Sequence, residues 1–310
     1  MAQSFSLERL PNTTVMLVAG PTASGKSDWA MDQAETESAL GDAGTAGCII
    51  NADSMQLYHG LDVLTAMPTA ADQSRMNHHL YGFLSPYGEK YCVSRWIKRA
   101  LDEIKQAHSR GQRVWIVGGT GFYLNTLEHG LSPIPDGDRA EKERLRRQYS
   151  PATVSELKTL LGPVDPVCAE HLVDHQRLLN AWIVYQSTGK PLTWWHGQPR
   201  VAPDLDFCRV LIWPSKEHIM HRAEKRLSAM IAAGLYDEVR AFCQHPEWEK
   251  SPLYHAIGLV SIHHMVHNQG SEQICHQQYL TDIARYVKRQ RTWFRHQFSP
   301  DFVFDQEKPI

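Results

Sequence analysis

The chain has 310 residues, 42% of them hydrophobic and 21% charged, which suits one large or two ordinary folded domains and excludes wholesale disorder. Its 32 Lys and Arg against 34 Asp and Glu leave a net charge of -2, excluding a globally basic nucleic-acid coat but not a local basic face. The six cysteines (Cys48, Cys92, Cys168, Cys208, Cys243 and Cys275) form no C-x-x-C pair and read as free thiols of a reducing cytosol. The first residues lack the apolar core of a secretory leader, and no stretch reaches the roughly 20 apolar residues of a membrane span.

Thr14 to Gly20 is apolar on both faces and predicts a buried parallel strand. Gly20-Pro21-Thr22-Ala23-Ser24-Gly25-Lys26-Ser27 follows and matches G-x-x-x-x-G-K-[ST]. Such a loop turns backbone N–H groups inward around an anion, and the next helix adds its positive end. Lys26 supplies a point charge to a terminal phosphate, and the Ser27 hydroxyl suits Mg²⁺. The motif specifies a polyphosphate, not ATP. A helix is predicted over Asp28 to Ala39 and a second strand over Cys48 to Asp53, ending in a carboxylate. A helix over Val93 to Ser109 precedes a third strand, Val114 to Val117, which runs into Gly118-Gly119-Thr120-Gly121-Phe122-Tyr123. A further helix begins near Phe122, with Thr120 as a possible cap. Strands separated by helix-length segments predict a doubly wound α/β sheet, with ligands at the carboxyl ends of the strands.

The pattern changes after Pro133-Ile134-Pro135. Residues 139–187 read as three or four helices punctuated by Pro151, Gly162-Pro163 and Pro166, and 191–206 as a loop. Phe207 to Trp213 returns to a central strand, and helices follow over about 215–233, 235–243, 257–267 and 272–297. The fold class is therefore α/β, a P-loop NTPase-like core with a parallel sheet and an all-helical insertion. The expected core is 1–137 with 206–310, and the expected insertion 138–205. Arg285, Lys288, Arg289, Thr292 and Arg295 share one side of the last helix, a candidate RNA face, while Tyr286, Trp293 and Phe294 alternate with them. Arg139, Lys142, Arg144, Arg146 and Arg147 form a second basic run, interleaved with Glu141 and Glu143. His263 and His267 stand four apart, but no third metal ligand is evident, so a structural or surface role is expected.

Three segments together, GPTASGKS (20–27), DSMQLY (53–58) and GGTGFY (118–123), resemble the tRNA dimethylallyltransferases of bacterial type. The likeness continues through Leu131 to Pro135, Val164-Asp165-Pro166 and Lys288 to Arg295, in order, over about 14–296. The resemblance implies transfer of a dimethylallyl group from dimethylallyl diphosphate to N6 of the adenosine beside the anticodon. It implies that Gly20 to Ser27 and Arg222 grip the diphosphate with Mg²⁺ at Ser27, and that Arg226 lies near it. Asp53 is then the general base, Lys26 neutralises the leaving group, and Thr120 bonds the bridging oxygen of the donor. Asp53, Ser54, Met55, Gln56, Thr120, Lys142, Gln176, Arg177, Asn180, Lys288 and Arg289 match tRNA-contacting positions. The insertion is expected to clasp the anticodon stem-loop of a tRNA, and the protein to be a cytoplasmic monomer with no membrane contact.

Several positions depart from the family pattern. G-T-A-K-P reads Leu64-Thr65-Ala66-Met67-Pro68, and H-H-L-x-D reads His78-His79-Leu80-Tyr81-Gly82. R-x-x-R-A-L-E reads Arg177 to Ile183, with Asn180 and Ile183 replacing an arginine and a glutamate, and G-Y-x-E reads Gly258-Leu259-Val260-Ser261. Three other readings stay open at this point: an adenylate isopentenyltransferase acting on free nucleotide, a P-loop kinase of small molecules, and a catalytically weakened RNA-binding paralogue.

Overall fold

The computed structural model describes residues 10–40, 47–88, 91–267 and 270–305. The opening segment 1–9, in which no leader is read, lies outside the described residues. The described residues within 1–126 and 204–310 form one compact unit and those of 127–203 another.

In the larger unit the order begins β1 (Val15–Ala19), α1 (Lys26–Leu40), β2 (Cys48–Asn51), α2 (Ala70–Arg75), β3 (Asn77–His79), α3 (Val93–Ser109), β4 (Val114–Gly118) and α4 (Gly121–His129), whose last turn enters the second unit. Among the described residues six strands form one sheet in the order β3-β2-β4-β1, continued by β5 (Phe207–Ile212) and β6 (Phe302–Phe304). Every pairing is parallel, with Leu17 of β1 opposite Ile116 of β4 on one side and Arg209 of β5 on the other. All five residues of β1 and of β4 are buried, which their unbroken apolar runs require of strands covered on both faces. Trp29 of α1 packs edge-on to Trp115 of β4 at 6.1 Å and tilts against Phe304 of β6 at 4.9 Å. α3 turns Trp96, Ala100, Ile104 and Ala107 inward at helical spacing, and Trp96 Nε1 donates to Asn51 O at 2.9 Å.

The helical unit holds α5 (Arg139–Tyr149), α6 (Val154–Leu161), α7 (Pro166–His171), α8 (His175–Thr188) and α9 (Leu192–His196). Leu145, Leu157, Leu161, Leu178, Leu179 and Ile183 are the heart of its own core. Caps set its helix starts: Thr153 and Glu156 form a reciprocal capping box, and Asp165 and Asp174 accept from Cys168 N and Arg177 N. The loop expected over 191–206 contains α9, which Pro191 starts. The chain then returns through β5 to α10 (Lys216–Ala232), α11 (Leu235–Phe242), α12 (Leu259–Val266) and α13 (Glu272–Gln297).

Arg113, 3% exposed, ties the larger unit together. It pairs with Glu37 of α1 through Nε and donates to Pro11 O at 2.9 Å, Leu10 O at 3.0 Å and Asn12 Oδ1 at 3.2 Å. Removing one partner of such a pair strands the other. Arg113→Met is therefore expected to lower stability by about 3 kcal/mol. A urea-denaturation midpoint unchanged from the natural chain would contradict this.

Candidate active site

Neighbouring strands set the three sequence motifs side by side. β2, β4 and β1 are consecutive in the sheet, and their carboxyl ends carry Asp53, Thr120 and the phosphate loop. This is the edge where open parallel sheets bind ligands. The close approach of the first two loops is built into the backbone. A side chain at Gly118 would collide with the Ala52 backbone, and one at Gly121 with the Trp293 ring of α13. Gly25 holds φ +83, the left-handed turn that lets the phosphate loop fold back before α1.

A cavity of about 380 Å³ opens here, lined by Thr22, Ala23, Gly25, Lys26 and Ser27 of the loop and by Asp53, Gln56, Arg222 and Arg226. Met31, Ile49, Met67, Tyr81 and Val117 add an apolar lining. The walls thus suit an anion joined to a short hydrocarbon. Lys26 Nζ donates to Pro21 O at 3.3 Å. Burial pushes its ammonium down to about 8, opposed by attraction to Asp53 and Asp28 and reinforced by Arg226. Arg222 pairs with Asp28 at 2.7 Å, not with a glutamate of its own helix. Arg226 donates from Nη2 to Thr22 Oγ1 at 3.3 Å and Tyr279 Oη at 3.4 Å. Its Nε is buried with no hydrogen-bond partner among the described residues, a donor still to be satisfied.

A lysine held below its ordinary value is less protonated in the folded chain, so the affinity of this cavity for an anion such as diphosphate is expected to fall as pH rises through about 8. A bound diphosphate draws the proton back. Calorimetry near that pH, in buffers of different ionisation heat, is expected to show proton uptake on diphosphate binding, abolished in Lys26→Met. Equal uptake in both proteins would contradict the assignment.

Asp53 follows β2 in a turn that Asn51 fixes. Asn51 Oδ1 accepts Asp53 N at 2.7 Å, while its Nδ2 donates to Asp53 O at 3.0 Å and Leu80 O at 3.1 Å. Asp53 Oδ1 accepts Met55 N at 3.0 Å; its Oδ2 accepts no hydrogen bond among the described residues. The charge of this carboxylate reaches Tyr81, Tyr123 and Tyr286. Burial first, and its charge second, hold the Tyr81 and Tyr286 hydroxyls above the usual phenol range, and burial, Tyr58 and Asp53 do so for Tyr123. Thr120 Oγ1 accepts Ser54 N at 3.1 Å and lies 3.4 Å from Ser54 Oγ, so the hydroxyl joins the β4 loop to the Asp53 loop. Gln56 Nε2 donates to Thr65 O at 2.9 Å and Ala66 O at 2.8 Å, which holds the cavity wall that carries Met67.

Gly20, Pro21 and Ser24 shape the phosphate loop without lining the cavity, and the Thr22 N–H is already committed to Gln290 Oε1 at 2.8 Å. Sequence reasoning missed two residues here. Gln290 joins the loops, and Glu238 accepts Val63 N at 2.8 Å and Leu64 N at 2.9 Å behind the Met67 wall. Lys288, Arg289, Thr292 and Arg295 are exposed on α13 while Phe294 is buried. Arg289 lines a separate hollow with Tyr254, His255 and Arg285. Within the helical unit, Asn180 Oδ1 accepts from Gln176 at 3.1 Å and from Arg146 at 3.4 Å, so Arg146 brings a guanidinium to the face where the family arginine is absent. Arg177 is exposed at the start of α8, and Lys142 Nζ reaches Pro135 O at 3.2 Å. Ile183 and Leu259 are core residues. Met67 and Gly82 are one substitution in space, since Met67 Cε lies 3.3 Å from where a Gly82 Cβ would stand. The His263 and His267 rings lie 4.3 Å apart, tilted by 47°, and no metal-holding group of three or more His, Cys, Asp or Glu exists among the described residues.

A parallel sheet with a phosphate loop and a cation-lined cavity at its carboxyl edge defines a phosphate-loop enzyme. The chain belongs to the IPP transferase family, whose model matches residues 56–297. A tRNA dimethylallyltransferase of Rhodospirillum centenum is 38% identical to it, over 94% of this chain and 91% of that protein. One from a Chelativorans species is 35% identical, over 92% and 96%. The solved structure of a eukaryotic dimethylallyltransferase acting on tRNA shares the fold with a TM-score of 0.79 at 21% identity, over 94% of this chain and 74% of that one.

Proposed function

We propose that the chain transfers the dimethylallyl group of dimethylallyl diphosphate to N6 of the adenosine 3′ to the anticodon in tRNA. The observation that carries the reading is the single cavity in which a phosphate loop, an apolar lining and Asp53 meet. The N6 lone pair attacks C1 of the allyl group, the C1–O bond breaks, and diphosphate leaves. Asp53 Oδ2 takes the proton that N6 loses as its bond to carbon forms. Lys26, Arg222, Arg226 and the loop amides of Ala23 and of Gly25 to Ser27 neutralise the leaving diphosphate. Thr120 bonds the bridging oxygen of the donor, from beside Ser54. The exposed Ser27 hydroxyl lines the cavity at the start of α1 and suits Mg²⁺, which takes few protein ligands beside phosphate oxygens and water. When bound there, Mg²⁺ supplies further charge for the leaving group.

A base must leave its stack to reach such a cavity, at a cost of a few kcal/mol, so the RNA needs a broad grip. We assign the grip on the anticodon stem-loop to Lys142, Gln176, Arg177 and Asn180 of the helical unit, to Ser54, Met55 and Gln56, and to Lys288 and Arg289 of α13. The enzyme acts as a cytoplasmic monomer in this reading. No helix among the described residues is long and apolar enough to cross a membrane.

The test offers labelled dimethylallyl diphosphate and Mg²⁺ with an anticodon stem-loop and, separately, with AMP. Label in the RNA is expected. Label in AMP alone would move the chain to the free-nucleotide reading, and label in neither would overturn transfer.

A further inference from the structure

Gln290 is 6% exposed in the middle of α13, a polar residue among Ile283, Val287 and Phe294 on the buried face. A buried amide needs partners, and this one spans the site. Its Oε1 accepts Thr22 N of the phosphate loop at 2.8 Å, and its Nε2 donates to Gly119 O of the β4 loop at 2.9 Å. The assignment of its two ends is fixed by chemistry. Thr22 N–H only donates and Gly119 C=O only accepts, so the amide fits one way round. Both partners are backbone groups in loops, where no strand or helix ladder supplies a partner. Gly119 leaves room for the clamp, since a Cβ there would stand 2.5 Å from Nε2.

We propose that Gln290 is a positioning residue that sets the spacing between the phosphate loop and Thr120. The diphosphate sits on the first loop in the reading above, and Thr120 follows Gly119 directly on the second. One side chain therefore fixes the two loops that hold the leaving diphosphate and its bridging oxygen relative to each other. Its neighbours Lys288 and Arg289 are exposed, so one turn of α13 presents two cations outward and the clamp inward. The proposal rests on the prenyl-transfer reading, and the experiment separates the two.

Single-turnover transfer to the anticodon stem-loop is measured for the full chain and for Gln290→Glu, Gln290→Met and Gln290→Ala, from mildly acidic to alkaline pH. Thermal unfolding is followed beside it. Loss of the clamp is expected to slow transfer by roughly 10²-fold, as a misplacement of about 1 Å does, with the KM for RNA unchanged. Gln290→Glu carries the added signature. As a carboxylate it repels Gly119 O. As a carboxylic acid its O–H donates there while the other oxygen still accepts from Thr22. Its rate relative to the natural chain is expected to rise on acidification, whereas the ratios for Gln290→Met and Gln290→Ala stay flat. Lys26, Arg226 and Asp53, the charged groups around these loops, are common to all four proteins and cancel in the ratios for the neutral Gln290→Met and Gln290→Ala, while the carboxylate of Gln290→Glu also acts on Lys26 at the alkaline end, so the rise is read at acidic pH. No transfer by the natural chain would overturn the prenyl-transfer reading itself. Transfer by the natural chain with full activity in Gln290→Met would overturn the clamp, as would equal, pH-independent losses in folded Gln290→Glu and Gln290→Ala. If Gln290→Glu does not fold, Gln290→Met decides by the split between rate and KM, because it keeps the volume and loses both bonds.

Discussion

Asp53→Ala is expected to slow prenyl transfer by about 10³-fold while leaving donor binding intact. The reason is the division of labour around its carboxylate. Oδ1 is held by Met55 N–H, and Oδ2 accepts no hydrogen bond among the described residues. The side chain thus has a fixed direction and one oxygen left for a proton. Asp53→Asn keeps the shape and the Met55 contact and loses only the basicity. It is expected to be as slow as the alanine variant. Single-turnover transfer beside a donor-binding isotherm checks this. Asp53→Asn with near-natural rates would show that the carboxylate holds the turn and does not take the proton.

Lys26→Met is expected to slow transfer by roughly 10²–10³-fold and, unlike the change at Asp53, to weaken donor binding as well. In the proposed reaction Lys26 meets the diphosphate both before and after the bond breaks, and the charge it offsets grows as the leaving group departs. Its place is set by a short reach to Pro21 O and by the left-handed turn at Gly25. Arg222 and Arg226 approach the same cavity from α10, which explains why a residual rate is expected at all. Steady-state kinetics with varied donor give the split. An unchanged donor KM with an unchanged rate would exclude Lys26 from the site.

The parts of the site that were legible in the sequence are those whose chemistry demands residue types at a fixed spacing. A phosphate loop needs its glycines and Lys26 within eight residues, and a strand buried on both faces needs a run such as Val15 to Ala19. Edge strands carry no such demand. β3 is Asn77-His78-His79, polar and three residues long, and β6 is three residues near the end of the described chain, so neither shows a strand period. They become strands because β2 and β5 offer them a parallel ladder. α9 was hidden in a segment rich in Pro, Trp and Gly, and the compact helical unit begins at Leu127, where the sequence pattern does not change. Gln290 and Glu238 were silent for a different reason. Their partners lie 268 and 175 residues away along the chain, and nothing local marks a buried amide or carboxylate as a strut between loops. The departures from the family pattern were visible as letters but not as geometry. Met67 stands directly against Gly82, and Ile183 is simply core.

The most direct test is to incubate tRNA with the protein, dimethylallyl diphosphate and Mg²⁺, digest the RNA, and locate the modification by mass spectrometry. One dimethylallyl group is expected on N6 of the adenosine 3′ to the anticodon, formed about 10³-fold more slowly when Asp53→Asn replaces the natural chain. A dimethylallyl group elsewhere in the RNA, or one placed equally well by Asp53→Asn, would contradict this.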